Sequence, residues 1–251
     1  MLSRREMERY DRQIRIFGED GQKKLKRARV LIAGIGGLGS SISIYLTAAG
    51  VGRLILVDSD IVELSNLNRQ ILHWDKDVGR SKARSAEEKL RGLNPEVDIE
   101  ALSAKIDDES VFELARNVDV IVDAMDNFET RYLLNRAALK RGVPMVHGGV
   151  RGFDGQVTTI VPGETACLRC IFPKAPPRET FPILGATAGV IGCIQAMEVV
   201  KYVVGVGELL KNRLLLFNGW DMKFSEVEVA RNPKCEDCGG GSGEREEADD
   251  I

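Results

Sequence analysis

Apolar positions in this chain fall in short runs separated by amphipathic stretches, and that alternation predicts most of its elements. Arg29-Val-Leu-Ile-Ala33 is a short apolar run ending in glycines, the mark of a buried strand. From Gly37 to about Ala49 the spacing turns helical and stops at Gly50. Arg53 to Asp58 predicts a second strand, Gly79 to Leu93 a helix stopped by Asn94-Pro95, and Val97 to Leu102 a third strand. A short helix near Ser110 precedes a strand over Val118 to Ala124; a helix over Asn127 to Arg141 and a strand starting at Pro144 to His147 follow. Ser3-Arg4-Arg5-Glu6 has the capping-box pattern that opens an N-terminal helix. Strands alternating with helices imply parallel βαβ units, hence an α/β fold with a doubly wound, Rossmann-like, mostly parallel sheet.

After Gly149 the pattern changes. Gln156 to Val161, Arg213 to Asn218 and Lys223 to Ala230 read as strands of a more antiparallel C-terminal region. Pro173 to Pro182 is proline-rich and reads as a loop. The expected organisation is an N-terminal helical segment over 1–28, a nucleotide-binding region over 29–150, a cysteine-bearing region of the same domain over 151–238, and a disordered acidic tail over 239–251. No internal repeat is visible.

Composition narrows the function classes. The chain has 251 residues, 43% hydrophobic and 29% charged, with a net charge of −3. Without a basic excess to neutralise phosphates, nucleic acid is not expected as the main partner. Met1 to Tyr10 is charged and lacks a signal-peptide core. No apolar run is expected to reach the roughly 20 residues of a membrane span. The longest apolar helix, Ala186 to Val206, carries Gln195, Glu198 and Lys201 and reads as core. A cytoplasmic location follows, where five cysteines suggest metal or catalysis rather than disulfides.

Gly34-Ile-Gly36-Gly37-Leu-Gly39 fits G-x-G-x-x-G between a strand and a helix, the context in which that motif binds phosphate. The helix N-terminus supplies N–H donors and a positive dipole. Asp58 ends the next strand, where a carboxylate meets ribose hydroxyls. So far the reading is a nucleotide, with NAD as the default. Ser65-Asn66-Leu67-Asn68-Arg69-Gln70 then sets amides and a cation beside the ribose site, Lys82 adds a second cation, and Asp126-Asn127 falls at a strand's C-terminal end. A triphosphate with Mg2+ uses two cations and a hard carboxylate; a dinucleotide does not.

Together with Arg9-Tyr-Asp-Arg-Gln13, Asp58-Ser-Asp60, Val78-Gly-Arg-Ser-Lys82 and Asp123-Ala-Met-Asp126-Asn127, these motifs resemble the ubiquitin-activating superfamily. Within it they most resemble the molybdopterin-synthase and thiamine sulfur-carrier adenylyltransferases, over about residues 4 to 238. The resemblance implies ATP-dependent adenylylation of the terminal Gly-Gly carboxylate of a small ubiquitin-like sulfur-carrier protein, with pyrophosphate released. It implies that Gly34, Gly36, Gly37, Gly39, Asp58, Asp60, Ser65, Asn66, Asn68, Arg69, Gln70, Lys82, Asp126 and Asn127 surround the nucleotide. Asp58 would take the ribose, Arg69 and Lys82 the phosphates, and Asp126 the magnesium and reaction centre. Arg12 would enter from the other subunit of a homodimer. The chemistry suits these residues: a terminal carboxyl is already ionised at pH 7, so no general base is needed, and the obstacle is anion meeting anion. Two other readings remain: an NAD-binding oxidoreductase or redox sensor, and a superfamily relative acting on another carboxylate such as one on tRNA.

Cys167-Leu-Arg-Cys170 and Cys235-Glu-Asp-Cys238 are paired C-x-x-C motifs, four ligands that close a structural Zn2+ site. The resembled family carries the same zinc-binding pairs. Cys193 lies in an apolar helix and reads as an inert thiol. Some relatives carry a reactive cysteine in the preceding loop; Arg178-Glu-Thr-Phe-Pro-Ile183 has none, which implies adenylylation only, with a separate sulfur donor. Arg151-Gly-Phe-Asp-Gly-Gln156 resembles the segment near the carrier tail, Pro173–Pro182 a crossover above it, and His147 reads as a satisfied interior histidine.

Overall fold

Eight strands share one sheet in the order β3-β2-β1-β4-β5-β6-β7-β8 in the computed structural model, which describes residues 1–177 and 181–239. The chain runs α1 (Arg4–Arg9), α2 (Asp11–Arg27), β1 (Arg29–Ala33), α3 (Gly37–Ala49), β2 (Arg53–Val57), α4 (Lys82–Leu93), β3 (Asp98–Leu102), α5 (Ser110–Leu114) and β4 (Val120–Asp123). It continues through α6 (Phe128–Arg141), β5 (Met145–Arg151), β6 (Asp154–Ile160), α7 (Leu168–Ile171), α8 (Gly185–Val204), β7 (Arg213–Asn218) and β8 (Lys223–Glu228). β1 to β5 pair in parallel, and β5 to β8 pair antiparallel. The expected α/β architecture, a parallel Rossmann-like sheet continuing into an antiparallel region, is therefore present.

The central strands β1 and β4 are largely apolar because both faces are covered. Along β1, Val30 and Ile32 join one core, with Ile42, Leu46 and Val199 of α3 and α8. Leu31 and Ala33 join the opposite core, with Leu134 and Ala137 of α6. This period-two alternation is what a strand between two helical layers requires.

Some details differ from expectation. α4 begins at Lys82 rather than Gly79, because Gly79 has φ +88° and Ser81 caps the helix by accepting the Arg84 N–H. The C-terminal strand stops at Glu228. α8 does reach membrane-spanning length and apolarity, contrary to the expectation above. Half of its apolar window is buried, however, and it packs on α3, β5 and β6 with Gln195 and Glu198 inside, so it is a core helix. Most of the proposed acidic tail, from residue 240, lies outside the described residues, as does Arg178–Thr180 of the proline-rich loop.

Candidate functional site

The strand order reverses between β1 and β4, whose C-terminal ends lead into the glycine loop and into Asp126. In open α/β sheets that switch point is where a crevice forms. A cavity of about 1160 Å³ opens there, lined by Gly34, Gly36, Gly37, Asp58, Asp60, Arg69, Gln70, Lys82, Asp126 and Asn127 among the expected residues. It extends past the parallel half onto Gly155 and Gln156 of β6 and Leu216 to Asn218 of β7.

Local packing explains the loop. Gly34 has φ +92°, a left-handed conformation that suits glycine. A Cβ on Gly39 would lie 2.0 Å from the Gly34 carbonyl oxygen, so this glycine lets helix and loop touch rather than meeting a ligand, and it does not line the cavity. Asp58 is tied to the same loop: Oδ2 accepts the Ile35 N–H at 2.7 Å and Oδ1 the Asp60 N–H at 2.8 Å. Burial pushes its carboxyl above the ordinary value, against those two bonds and the Lys82 charge. Lys82 is buried and gives its ammonium to Asp60 at 2.9 Å. Arg69 donates to the Ser65 carbonyl at 2.9 Å and to Asn68 Oδ1 at 3.2 Å. Gln70 is buried at the cavity wall with Oε1 unpartnered.

Other expected residues stand behind the wall. Asn66 Oδ1 accepts the Glu63 N–H, Ser65 donates to Glu63, and Asn68 buttresses Arg69. They shape the segment before α4 that presents Arg69 and Gln70. Arg12 is exposed on α2 and is not part of this chain's cavity lining. Asp126 is exposed beside Asn127, which caps α6 by accepting the Thr130 N–H at 2.9 Å. Its Oδ1 accepts a long bond from Asn127 Nδ2 at 3.4 Å, and a carboxylate at the cavity is a hard oxygen ligand of the kind Mg2+ takes.

Sequence reasoning missed a buried polar cluster beneath the cavity. Asp123, fully buried, accepts the Met125 N–H at 3.0 Å and meets His147 Nδ1 at 2.6 Å. Arg131 Nε lies 3.6 Å from the same carboxylate, and its Nη2 donates to the Met125 and Gly148 carbonyls at 2.6 and 3.2 Å. Gln195 of α8 donates to the Asp123 carbonyl at 2.8 Å. Burial drives the His147 imidazole below its ordinary pKa against the pull of Asp123, with Arg131 adding to the depression. His147 is thus the satisfied interior histidine expected, but paired with a carboxylate from another strand. Only the placement of Asp123 and His147 on successive parallel strands, where they stand side by side, could have hinted at this pairing.

The four expected cysteines converge. Cys167 and Cys235 sulfurs are 3.6 Å apart, Cys170 and Cys238 3.4 Å, Cys167 and Cys170 3.9 Å, and all four lie within 4.8 Å of one another. Ligands about 2.3 Å from a tetrahedral Zn2+ sit about 3.8 Å apart, so this donor set fits that ion. Burial, with hydrogen bonds from neighbouring thiols, pushes the Cys167 thiol strongly up, a state that a bound cation reverses. Asn135 of α6 binds both cysteine loops, accepting the Leu168 N–H at 2.9 Å and donating to Asp237 at 2.7 Å. Cys193 lies on α8, half-buried, outside the cluster, and burial raises its pKa as expected of an unreactive thiol.

Comparison with known proteins agrees with this geometry. The chain is 46% identical to the SAMP-activating enzyme E1 of Haloferax volcanii, over 96% of this chain and 92% of that one. It is 42% identical to the sulfur carrier protein adenylyltransferase of Thermus thermophilus, over 98% and 96%. Among solved structures, E. coli MccB with MccA-N7isoASN superposes with a TM-score of 0.86 at 26% identity, over 92% of this chain and 75% of that one. The ThiF family model matches residues 10–237, and the chain belongs to the ThiF family.

Proposed function

We propose that this chain adenylylates the C-terminal Gly-Gly carboxylate of a small ubiquitin-like sulfur-carrier protein, consuming ATP and releasing pyrophosphate. The observation that carries the reading is one cavity that joins a phosphate loop and cations to a stretch of antiparallel sheet. The parallel half suits a nucleotide. The sheet half, β6 and β7, suits an extended peptide tail whose end reaches the α-phosphate. None of the relatives named above is an oxidoreductase, so the NAD reading gains no support from them.

The carrier carboxylate attacks the α-phosphorus and the bond to the β-phosphate oxygen breaks. Both partners are anions, so the chain's task is charge compensation and alignment. Arg69 and Lys82 would face the phosphates, Lys82 exchanging its Asp60 contact for phosphate oxygens. Asp58 and Asp60 would take the ribose, and Gly34, Gly36 and Gly37 would let backbone approach the phosphates. Asp126 would hold Mg2+, which supplies charge neutralisation at the leaving group. Arg12 would complete the cation set from a second copy in a homodimer, in keeping with its absence from its own chain's lining. Zn2+ at the four cysteines would be structural, because four protein ligands leave no open position. Sulfur would come from a separate donor, since the only cysteine outside the zinc set, Cys193, lies outside the cavity lining.

The test is pyrophosphate–ATP exchange with the pure protein, Mg2+ and a panel of carriers. Exchange is expected only with carriers ending in Gly-Gly and should vanish when those residues are deleted. NAD binding without ATP binding would refute the reading.

A further inference from the structure

We propose that His147, which lies outside the cavity lining, fixes the orientation of the Gln156 side-chain amide so that its carbonyl oxygen is presented to the backbone of the carrier tail. This rests on the adenylylation reading above and names a residue that selects how the tail binds.

The argument is an inventory of donors. His147 on β5 is fully buried, and its Nδ1 lies 2.6 Å from Asp123 Oδ2. An ionised carboxylate only accepts, so Nδ1 carries the proton and donates. Asp123 is held as the acceptor by the Met125 N–H and by the Arg131 charge nearby. Inside the protein, facing that single carboxylate and the Arg131 cation, the ring is neutral, as its lowered pKa also requires. A neutral ring with Nδ1 protonated has a bare lone pair on Nε2.

That lone pair faces Gln156. The Gln156 amide nitrogen stands 3.2 Å from His147 Nε2. Only the NH2 end of the amide can satisfy a lone pair; the carbonyl end would be repelled. Gln156 lies on β6, opposite Gly149 of β5, and lines the cavity. With its NH2 committed to the histidine, the amide offers Oε1 as its acceptor. An extended peptide presents N–H groups along its edge, and a wall acceptor with a fixed sense selects one register of that tail. The Phe172 ring packs edge-on to the imidazole, with centroids 5.8 Å apart, and His147 is fully buried.

His147→Asn keeps a donor for Asp123 and deletes the acceptor for Gln156. Losing one ordered hydrogen bond to the tail should raise the KM for a Gly-Gly carrier about tenfold. The KM for ATP should stay within about twofold. Gln156→Leu should give the same split, and the double variant should be no worse than either single one, because both delete one contact. Costs that add, or an equal rise in the ATP KM, would overturn the proposal. A second arm needs no turnover. The chain has only two histidines, so 15N signals of the imidazoles are assignable through His73→Gln. The Nδ1-protonated form is expected for His147, with an Nε2 signal that moves in Gln156→Leu. An Nε2-protonated ring, or a signal indifferent to that substitution, would overturn the proposal even if His147→Asn fails to fold. Absence of exchange with every carrier would sink the adenylylation reading and the tail contact together, while the imidazole signals still report the His147–Gln156 bond.

Discussion

Two neighbouring glycines separate the mechanics of the phosphate loop from its chemistry. A methyl group on Gly39 would stand 2.0 Å from the Gly34 carbonyl oxygen, about 1.4 Å short of the 3.4 Å at which ordinary contact begins. The obstacle is backbone and cannot swing aside. The loop must retreat from α3, and it is tethered by the Gly34 N–H on Val57 and the Ile35 N–H on Asp58. Losing those two bonds costs about 1 kcal/mol each, and forcing the helix and loop apart adds about 1–3 kcal/mol. Gly39→Ala should therefore cost about 3–5 kcal/mol, a fall in Tm of about 6–20 °C for a chain of this size. Gly36→Ala is the contrast. Its methyl would meet only the Gln70 amide nitrogen at 3.6 Å, and its φ of −85° suits any residue. Stability should hold within about 0.5 kcal/mol. The methyl would, however, stand on the cavity wall, and if backbone approaches phosphate there as proposed, ATP affinity should fall at least about tenfold. Urea melts and calorimetric ATP titrations of both variants decide the matter. A Gly39→Ala protein as stable as the parent, or a Gly36→Ala protein with full ATP affinity, would refute the reasoning.

Asp126→Ala should abolish pyrophosphate exchange, by at least about a hundredfold, while the melting temperature stays put because the side chain is exposed. Metal analysis should find about one zinc per chain, and Cys235→Ser or a strong chelator should remove it with a clear loss of thermal stability, since metal affinity at such a site is folding energy. Asp77 yields a pH prediction. Burial raises its carboxyl pKa, but hydrogen bonds from Lys89 and the Trp74 N–H, with the Lys89 and Arg80 charges, win and hold it below the ordinary value. A depressed carboxylate contributes stability that is present above its unfolded pKa and lost as pH falls through the folded one. Acid melts should therefore show a stability loss setting in around pH 4, and Asp77→Asn should flatten it. The same variant takes from the half-buried Lys89 its carboxylate partner, leaving it the Ser85 carbonyl and hydroxyl, and should cost about 1.5–3 kcal/mol at pH 7.

The parallel half of the sheet was legible because its signals are local. β1 and α3 begin and end where apolar run and glycine say they should, and Asn127 announces α6 as its cap. The cysteine pairs were legible because spacing within each turn is short-range. What stayed hidden is relational. Nothing near Asp123 foretells that Arg131, His147 and Gln195, from three other elements, converge on it. The length of α8 hid its position, since an apolar run does not say whether lipid or a neighbouring helix covers it. Gly39 fitted the phosphate motif by pattern, yet its part is steric, a distinction only coordinates reveal.

The sulfur cluster joins positions 68 residues apart, and all eight strands are complete before its last pair arrives. Each pair alone offers two thiols, half of the ligand set that a tetrahedral ion takes. Held by all four sulfurs, an ion would close a loop of chain that contains β7 and β8 and staple the segment after β8 to the one after β6. Loss of either pair would release that staple, and the edge strand β8, exposed along its whole length, would be the first to loosen.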